Sequence, residues 1–241
     1  MTDDEPYLRA TGVGRTFGDV SALADVSVAI PGGSVVALIG PNGSGKTTLL
    51  RVLAGLLAPT DGDVTYEGPS ATRPLGYLPQ EPAFRPGYTT AETAAFYARL
   101  VDDDPTELLD RVGLGNVPDR RVEALSGGMT RLLGIAQALA GEPPVLALDE
   151  PASGMEPVKS QRVFDILESL AADGHAVVVT SHDLPLVERS ADRIVILDRG
   201  SVVAADTPAA LRDRTGGPLH ETFTRLVEAD DAVSVRTEAT R

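Results

Sequence analysis

The sequence predicts an α/β fold: a P-loop core with a mixed, mostly parallel sheet flanked by helices, an N-terminal antiparallel β subdomain and an inserted α-helical subdomain. Three observations carry that prediction. Short runs at residues 35–39, 145–148 and 176–180 are almost wholly apolar, without the alternation of a one-sided sheet. Strands of that kind are buried on both faces and belong to parallel sheets. Stretches with apolar residues at helical spacing separate them. A glycine-rich loop, Gly40-Pro41-Asn42-Gly43-Ser44-Gly45-Lys46-Thr47-Thr48, joins the first run to the first helical stretch.

The first 35 residues and residues 62–78 read as shorter, more alternating strands, which places an antiparallel section beside the parallel core. Residues 46–57 read as a helix, with Leu49, Leu50, Leu53, Leu56 and Leu57 at helical spacing and Pro59 to stop it. Residues 90–101, 105–112 and 127–140 carry helical patterns and form the inserted subdomain, spanning about 85–140. Residues 158–172 are a further helix, with Gly174 just beyond its end. Residues 194–197 and 201–204 flank Asp198-Arg199-Gly200 and read as a hairpin. The pattern divides the chain into one unit over 1–208 and a tail over 209–241, a short helix followed by a loose end.

Composition excludes several classes. With 241 residues and 42% hydrophobic content, the chain holds enough apolar mass for one large domain. It has no Cys, which removes disulfides and thiolate-ligated metal sites. A net charge of −14 disfavours nucleic acid as a partner, because a phosphate backbone requires clustered cations. The start is acidic, and the longest uncharged stretch, residues 26–45, is broken by Pro31-Gly32-Gly33. Neither an export signal nor a membrane span is expected. Only Lys46 and Lys159 are lysines, against nineteen arginines. That composition fits a very salty cytoplasm, where screening tolerates self-repulsion, and equally a GC-rich genome.

The glycine-rich loop fits the P-loop pattern in its proper context, directly after a strand and before a helix. Its backbone N–H groups can turn toward phosphate oxygens, at the positive end of the following helix. Lys46 can reach β- and γ-phosphates, and the Thr47 hydroxyl can take a Mg2+ position. Asp149 and Glu150 follow an apolar strand, where a parallel sheet places ligands. Asp149 is the candidate to hold Mg2+, directly or through water, and Glu150 the candidate to orient and deprotonate the attacking water.

Leu125-Ser126-Gly127-Gly128-Met129 lies 20 residues before Asp149 and opens a helix. With the P-loop, it resembles the signature of the ATP-binding cassette (ABC) ATPases, over about residues 7–208. Physically, Ser126 can cap the helix while Gly127 and Gly128 leave N–H groups open to a phosphate. The resemblance implies ATP as ligand, bound with Mg2+, and Ser126, Gly127 and Gly128 contacting ATP held by a second copy or a similar ATPase subunit. It implies that Phe17 stacks on adenine, that Gln80 contacts Mg2+ and links core to helical subdomain, and that His182 contacts the γ-phosphate. Two departures stand out. Glu156 occupies the place of an aspartate in the segment after the apolar strand, and Leu132 that of a basic residue, with Arg131 beside it.

The implied function is the ATP-hydrolysing subunit of a transporter. It would sit at the cytoplasmic face of the membrane against a separate transmembrane permease, in the groove between the core and residues 80–125. The Leu-Ser-Gly-Gly-Met signature and the short segment between Gln80 and Ser126 look more like export-type and copper-processing ATPases than nutrient importers. A soluble ABC ATPase of translation, repair or assembly, and an importer subunit, are the alternatives.

Overall fold

The computed structural model describes residues 5–227. Strands β1 (Pro6–Phe17), β2 (Val20–Pro31) and β4 (Asp61–Tyr66) form an antiparallel sheet in the order β2-β1-β4. The second sheet contains β3 (Ser34–Ile39), β5 (Leu75–Leu78), β6 (Val145–Leu148), β7 (Ala176–Thr180), β8 (Arg193–Asp198) and β9 (Ser201–Asp206). Its order is β5-β6-β7-β3-β8-β9, parallel throughout except for the β8–β9 hairpin. Every residue of β3, β6 and β7 is buried, which is why their sequences show no alternation.

The register of β3 divides the core. Val35, Ala37 and Ile39 join one apolar cluster with Leu133, Phe164 and Leu167, while Val36 and Leu38 join another with Leu8, Ile30, Leu49 and Leu53. Successive side chains of a strand point to opposite faces, so one apolar run serves both layers. One face is covered by α1 (Lys46–Leu53) and the antiparallel sheet. The other is covered by α4 (Gly127–Leu139), α5 (Pro157–Ala172) and α6 (Leu184–Ser190).

Helices α2 (Thr90–Ala98), α3 (Pro105–Arg111) and α4 pack on one another, and α4 also packs on β5 and β6. Their starts are written in the chain. Thr89 and Glu92 form a reciprocal capping box on α2, Asp104 caps α3 ahead of Pro105, and Ser126 accepts from the Met129 N–H of α4 at 3.3 Å. At the far end of α4, Arg73 donates to the carbonyls of Ala140 (2.5 Å) and Gln137 (3.3 Å). The tail begins with α7 (Pro208–Thr215) and a helix over 219–227. The loose end expected at 228–241 lies outside the described residues.

Three expectations need correction. Residues 62–78 do not all join the antiparallel section: β4 does, but β5 is the parallel edge strand beside β6. Its alternating burial reflects an edge position rather than antiparallel pairing. Helix α1 ends at Leu53 and not at residue 57, because the chain turns at Gly55 (φ 67°), well ahead of Pro59. Helix α2 stops at Ala98 instead of residue 101, and the chain reverses through Asp102 at φ 57°. Helix α6, capped by Asp183, is an element that the apolar pattern alone does not announce.

Candidate functional site

The glycine-rich loop runs from the end of β3 into α1 and is held by tight backbone contacts. A Cβ on Gly40 would lie 2.2 Å from the Leu197 carbonyl oxygen, and one on Gly45 would lie 2.6 Å from that of Ala22. Gly45 also has φ 100°, which a side chain would resist. The β8–β9 turn supports the loop from behind, with the Gly200 N–H donating to the Ser44 carbonyl at 3.0 Å. The Ser44 hydroxyl is buried without a hydrogen-bond partner. Lys46 is 6% exposed and folds back, its Nζ donating to the carbonyls of Gly40 and Pro41, both at 2.8 Å. Burial pushes its pKa below the ordinary lysine value, and the nearby Glu150 and Asp149 pull it partly back.

The strand ends opposite supply the carboxylates. Asp149 is 1% exposed. Its Oδ1 accepts from Thr180 Oγ1 at 2.7 Å and from Thr47 Oγ1 at 3.2 Å, while its Oδ2 has no partner at all. Leaving a buried carboxylate oxygen unsatisfied is costly. An Mg2+ ion, which takes oxygen ligands, fits Thr47 and Asp149 on that ground. The Thr180 hydroxyl also accepts from the Glu150 N–H at 2.8 Å. Thr180 thus organises both acids; it sits beside them because β6 and β7 run in parallel register. Sequence reasoning passes over it as the last residue of an apolar strand.

Glu150 has φ 48°, an uncommon left-handed conformation for a side chain of its size. Its Oε1 lies 2.9 Å from His182 Nε2. Its carbonyl accepts from Arg131 Nη1 at 3.1 Å, and the same Nη1 donates to the Gln80 carbonyl at 2.6 Å. Lys46, Thr47, Thr48, Asn42, Gly43, Gly45, Gln80, Glu150 and His182 line one cleft of about 260 Å³. A neighbouring cleft of about 440 Å³ shares Glu150 and His182 and continues along Ser153, Met155 and Asp183.

Other expected residues stand apart from the first cleft. Ser126, Gly127, Gly128 and Phe17 do not line it. A Cβ on Gly128 would lie 3.6 Å from Met155 Sδ, whereas Gly127 faces open space. Phe17 ends β1, 47% exposed, with the Arg15 guanidinium 4.6 Å from its ring centroid. Of the two departures, Glu156 is exposed and pairs with Lys159 at 3.1 Å. Leu132 packs against the apolar core, so the neighbouring Arg131 is the one that reaches the site. His175 lies elsewhere, its Nδ1 2.8 Å from the Pro143 carbonyl and its Nε2 3.4 Å from Glu142.

This geometry agrees with the comparisons. Residues 23–153 match the family model described as ABC transporter. The lantibiotic transport ATP-binding protein SrtF of Streptococcus pyogenes is 34% identical over 203 residues, covering 81% of this chain and 89% of that protein. The phosphonates import ATP-binding protein PhnC 2 of Synechococcus sp. (strain JA-2-3B'a(2-13)) is 36% identical over 221 residues, covering 80% and 82%. Among solved structures, a dimeric post-hydrolysis ATP-binding cassette bound to ADP and Pi superposes with a TM-score of 0.74 at 25% identity, covering 83% of this chain and 98% of that one. A single P-loop cassette of this fold, with relatives of that length and likeness, belongs to the ABC transporter family as an ATP-binding subunit.

Proposed function

We propose that the chain hydrolyses ATP as one half of a two-subunit sandwich that drives a separate transmembrane permease, in the direction of export. The observation that carries the reading is the single cleft in which Lys46, Thr47, Gln80, Glu150 and His182 meet above the buried Asp149. ATP phosphates entering the loop replace the Gly40 and Pro41 carbonyls as partners of Lys46, and loop N–H groups from Gly43 to Thr48 receive the remaining oxygens. Thr47, Asp149 and Gln80 would hold Mg2+, which would supply positive charge to the bound phosphates. Glu150 orients water and accepts its proton, while His182, already paired with Glu150, lies at the γ-phosphate end. Phe17 keeps one ring face for adenine, the other being covered by Arg15.

Ser126, Gly127 and Gly128, which stand outside the chain's own cleft, complete the cleft of the second subunit. The dimeric form of the solved cassette supports this arrangement. Closing and parting of two such halves couples hydrolysis to rigid-body motion of the helices. The permease seat is the groove of about 550 Å³ along α2, lined by Tyr88, Phe96, Arg99 and Leu100. Phe96 and Leu100 are 52% and 69% exposed there, and an uncovered apolar surface flanked by polar groups suits a partner. Among the described residues no helix is long and apolar enough to cross a membrane. The signature form favours export; the phosphonate import relative supports an importer as the second reading.

The test is Glu150→Gln with Mg-ATP, followed by light scattering and by phosphate release. Turnover should fall by at least a hundredfold while the variant binds ATP and doubles in mass, since the phosphate cradle remains intact. An ATP-bound variant that stays monomeric would count against the sandwich.

A further inference from the structure

We propose that Arg131 is a positioning residue through which helix α4 sets the conformation of Glu150, an inference that rests on the reading of Glu150 as the group that orients water. One guanidinium nitrogen of Arg131 serves two carbonyls at once, that of Gln80 at 2.6 Å and that of Glu150 at 3.1 Å. These belong to two segments, one leaving β5 and the other leaving β6. Arg131 itself lies on the second turn of α4, whose first turn carries Gly127 and Gly128. A single side chain therefore joins three parts of the molecule: the signature helix, the Gln80 segment and the segment that carries Glu150.

Glu150 needs such a restraint. At φ 48° its backbone is in a region that costs a non-glycine residue energy and persists only where surroundings enforce it. Its N–H is held by Thr180 Oγ1 at 2.8 Å, its carboxylate by His182 at 2.9 Å, and its carbonyl by Arg131 Nη1 at 3.1 Å and the Ser153 N–H at 3.2 Å. Arg131 is the one of these four that comes from the helices outside the sheet. A charge-assisted bond to each carbonyl is stronger than a neutral one, and the planar guanidinium presents its donors in fixed directions. Without it, the Glu150 carbonyl keeps only the neutral bond from the Ser153 N–H, and the strained backbone with its carboxylate is held less firmly. The converse also holds: a shift of α4 that draws Arg131 off these carbonyls releases Glu150. Leu132 offers no substitute, because it is apolar and packs against the core.

The experiment measures ATP hydrolysis by the full chain for the wild type, Arg131→Gln, Arg131→Lys, Glu150→Gln and the Arg131→Gln/Glu150→Gln pair, with melting temperatures recorded for each. Arg131→Gln should lower kcat about tenfold and leave KM for ATP within about twofold, because the phosphate loop is untouched. Arg131→Lys should lower kcat by less, about threefold, with KM unchanged, since the ammonium keeps the charge but not the guanidinium's fixed directions; it carries the test if the glutamine variant fails to fold. In single turnovers the double variant should be no slower than Glu150→Gln alone, since Arg131 acts through Glu150. A wild-type kcat in Arg131→Gln beside an inactive Glu150→Gln overturns the inference. So does a loss confined to KM, or a further tenfold loss in the double variant. Normal turnover in Glu150→Gln would instead remove the reading of Glu150 on which the inference stands.

Discussion

Asp149 and Glu150 are adjacent carboxylates in opposite surroundings. Asp149 is sealed beneath the loop with one oxygen unsatisfied, while Glu150 turns through a left-handed backbone to meet His182. The division suits one acid for a cation and the other for a proton. Thr180→Val removes the hydroxyl that binds both, and we expect kcat to fall about tenfold or more, as read by phosphate release, with the fold retained. Lys46 is the other informative residue. Lys46→Ala should weaken ATP binding about 10–100-fold in a nucleotide titration, the range of a lost charged hydrogen bond. Because burial lowers the pKa of Lys46, bound phosphates must raise it again. ATP binding should therefore take up protons at alkaline pH, and affinity should decline as pH rises through the lowered lysine value. Calorimetry in buffers of different ionisation enthalpy checks the sign; proton release would contradict it. The phosphate loop and both acids were legible because each is local, a residue type at the edge of an apolar strand, while His182 was pointed to through the family resemblance. Thr180 and Arg131 were not, since their partners lie 30 or more residues away, or in Arg131's case 19 and 51.

Elements repeat the contrast. Capping is local, and the Ser126 cap could be read directly from the chain. The capping box on α2 gives a direct check: Thr89→Ala should cost about 0.5–2 kcal/mol in urea denaturation, with ATP affinity unchanged. Helix length is less readable. Leu56 and Leu57 extend the leucine pattern, yet the chain leaves the helix at Gly55, and Leu56 is 59% exposed. The placement of β5 was misread for a related reason, as four residues cannot announce which sheet they join. What fixes it is the close approach of α4. A Cβ on Gly76 would lie 2.0 Å from the Ala138 carbonyl oxygen, so Gly76→Ala should destabilise by about 1–3 kcal/mol through forced separation of helix and strand. Equal urea midpoints for Gly76→Ala and the wild type would show that the layers yield freely.

At the scale of the molecule, charge and tethering dominate. A net charge of −14 opposes the compact state, and screening relieves that repulsion. A chain adapted to salt should melt higher as KCl rises from dilute to molar, by about 2–4 °C for each kcal/mol gained. A melting temperature indifferent to KCl would favour the genomic explanation of the arginine excess. The helices outside the sheet are tethered at two distant places. Arg131 ties α4 to the strand ends at the cleft, and Arg111 of α3 ties the opposite edge through Glu142 and Asp173 (3.2 Å to the latter) beside the buried His175. Any motion of those helices during turnover must strain or exchange these bonds.

The sequence by itself determined the parallel core, the phosphate loop, the capped signature helix and the family, because each is a contiguous pattern whose physics is complete within a few residues. The tertiary structure alone decided that β5 borders the core sheet, that Thr180 joins the two acids, and that Arg131 rather than its neighbour reaches the site. Those outcomes depend on which segments meet in space, and a side chain's partner across a sheet or a helix face leaves no mark on the residues beside it in the chain.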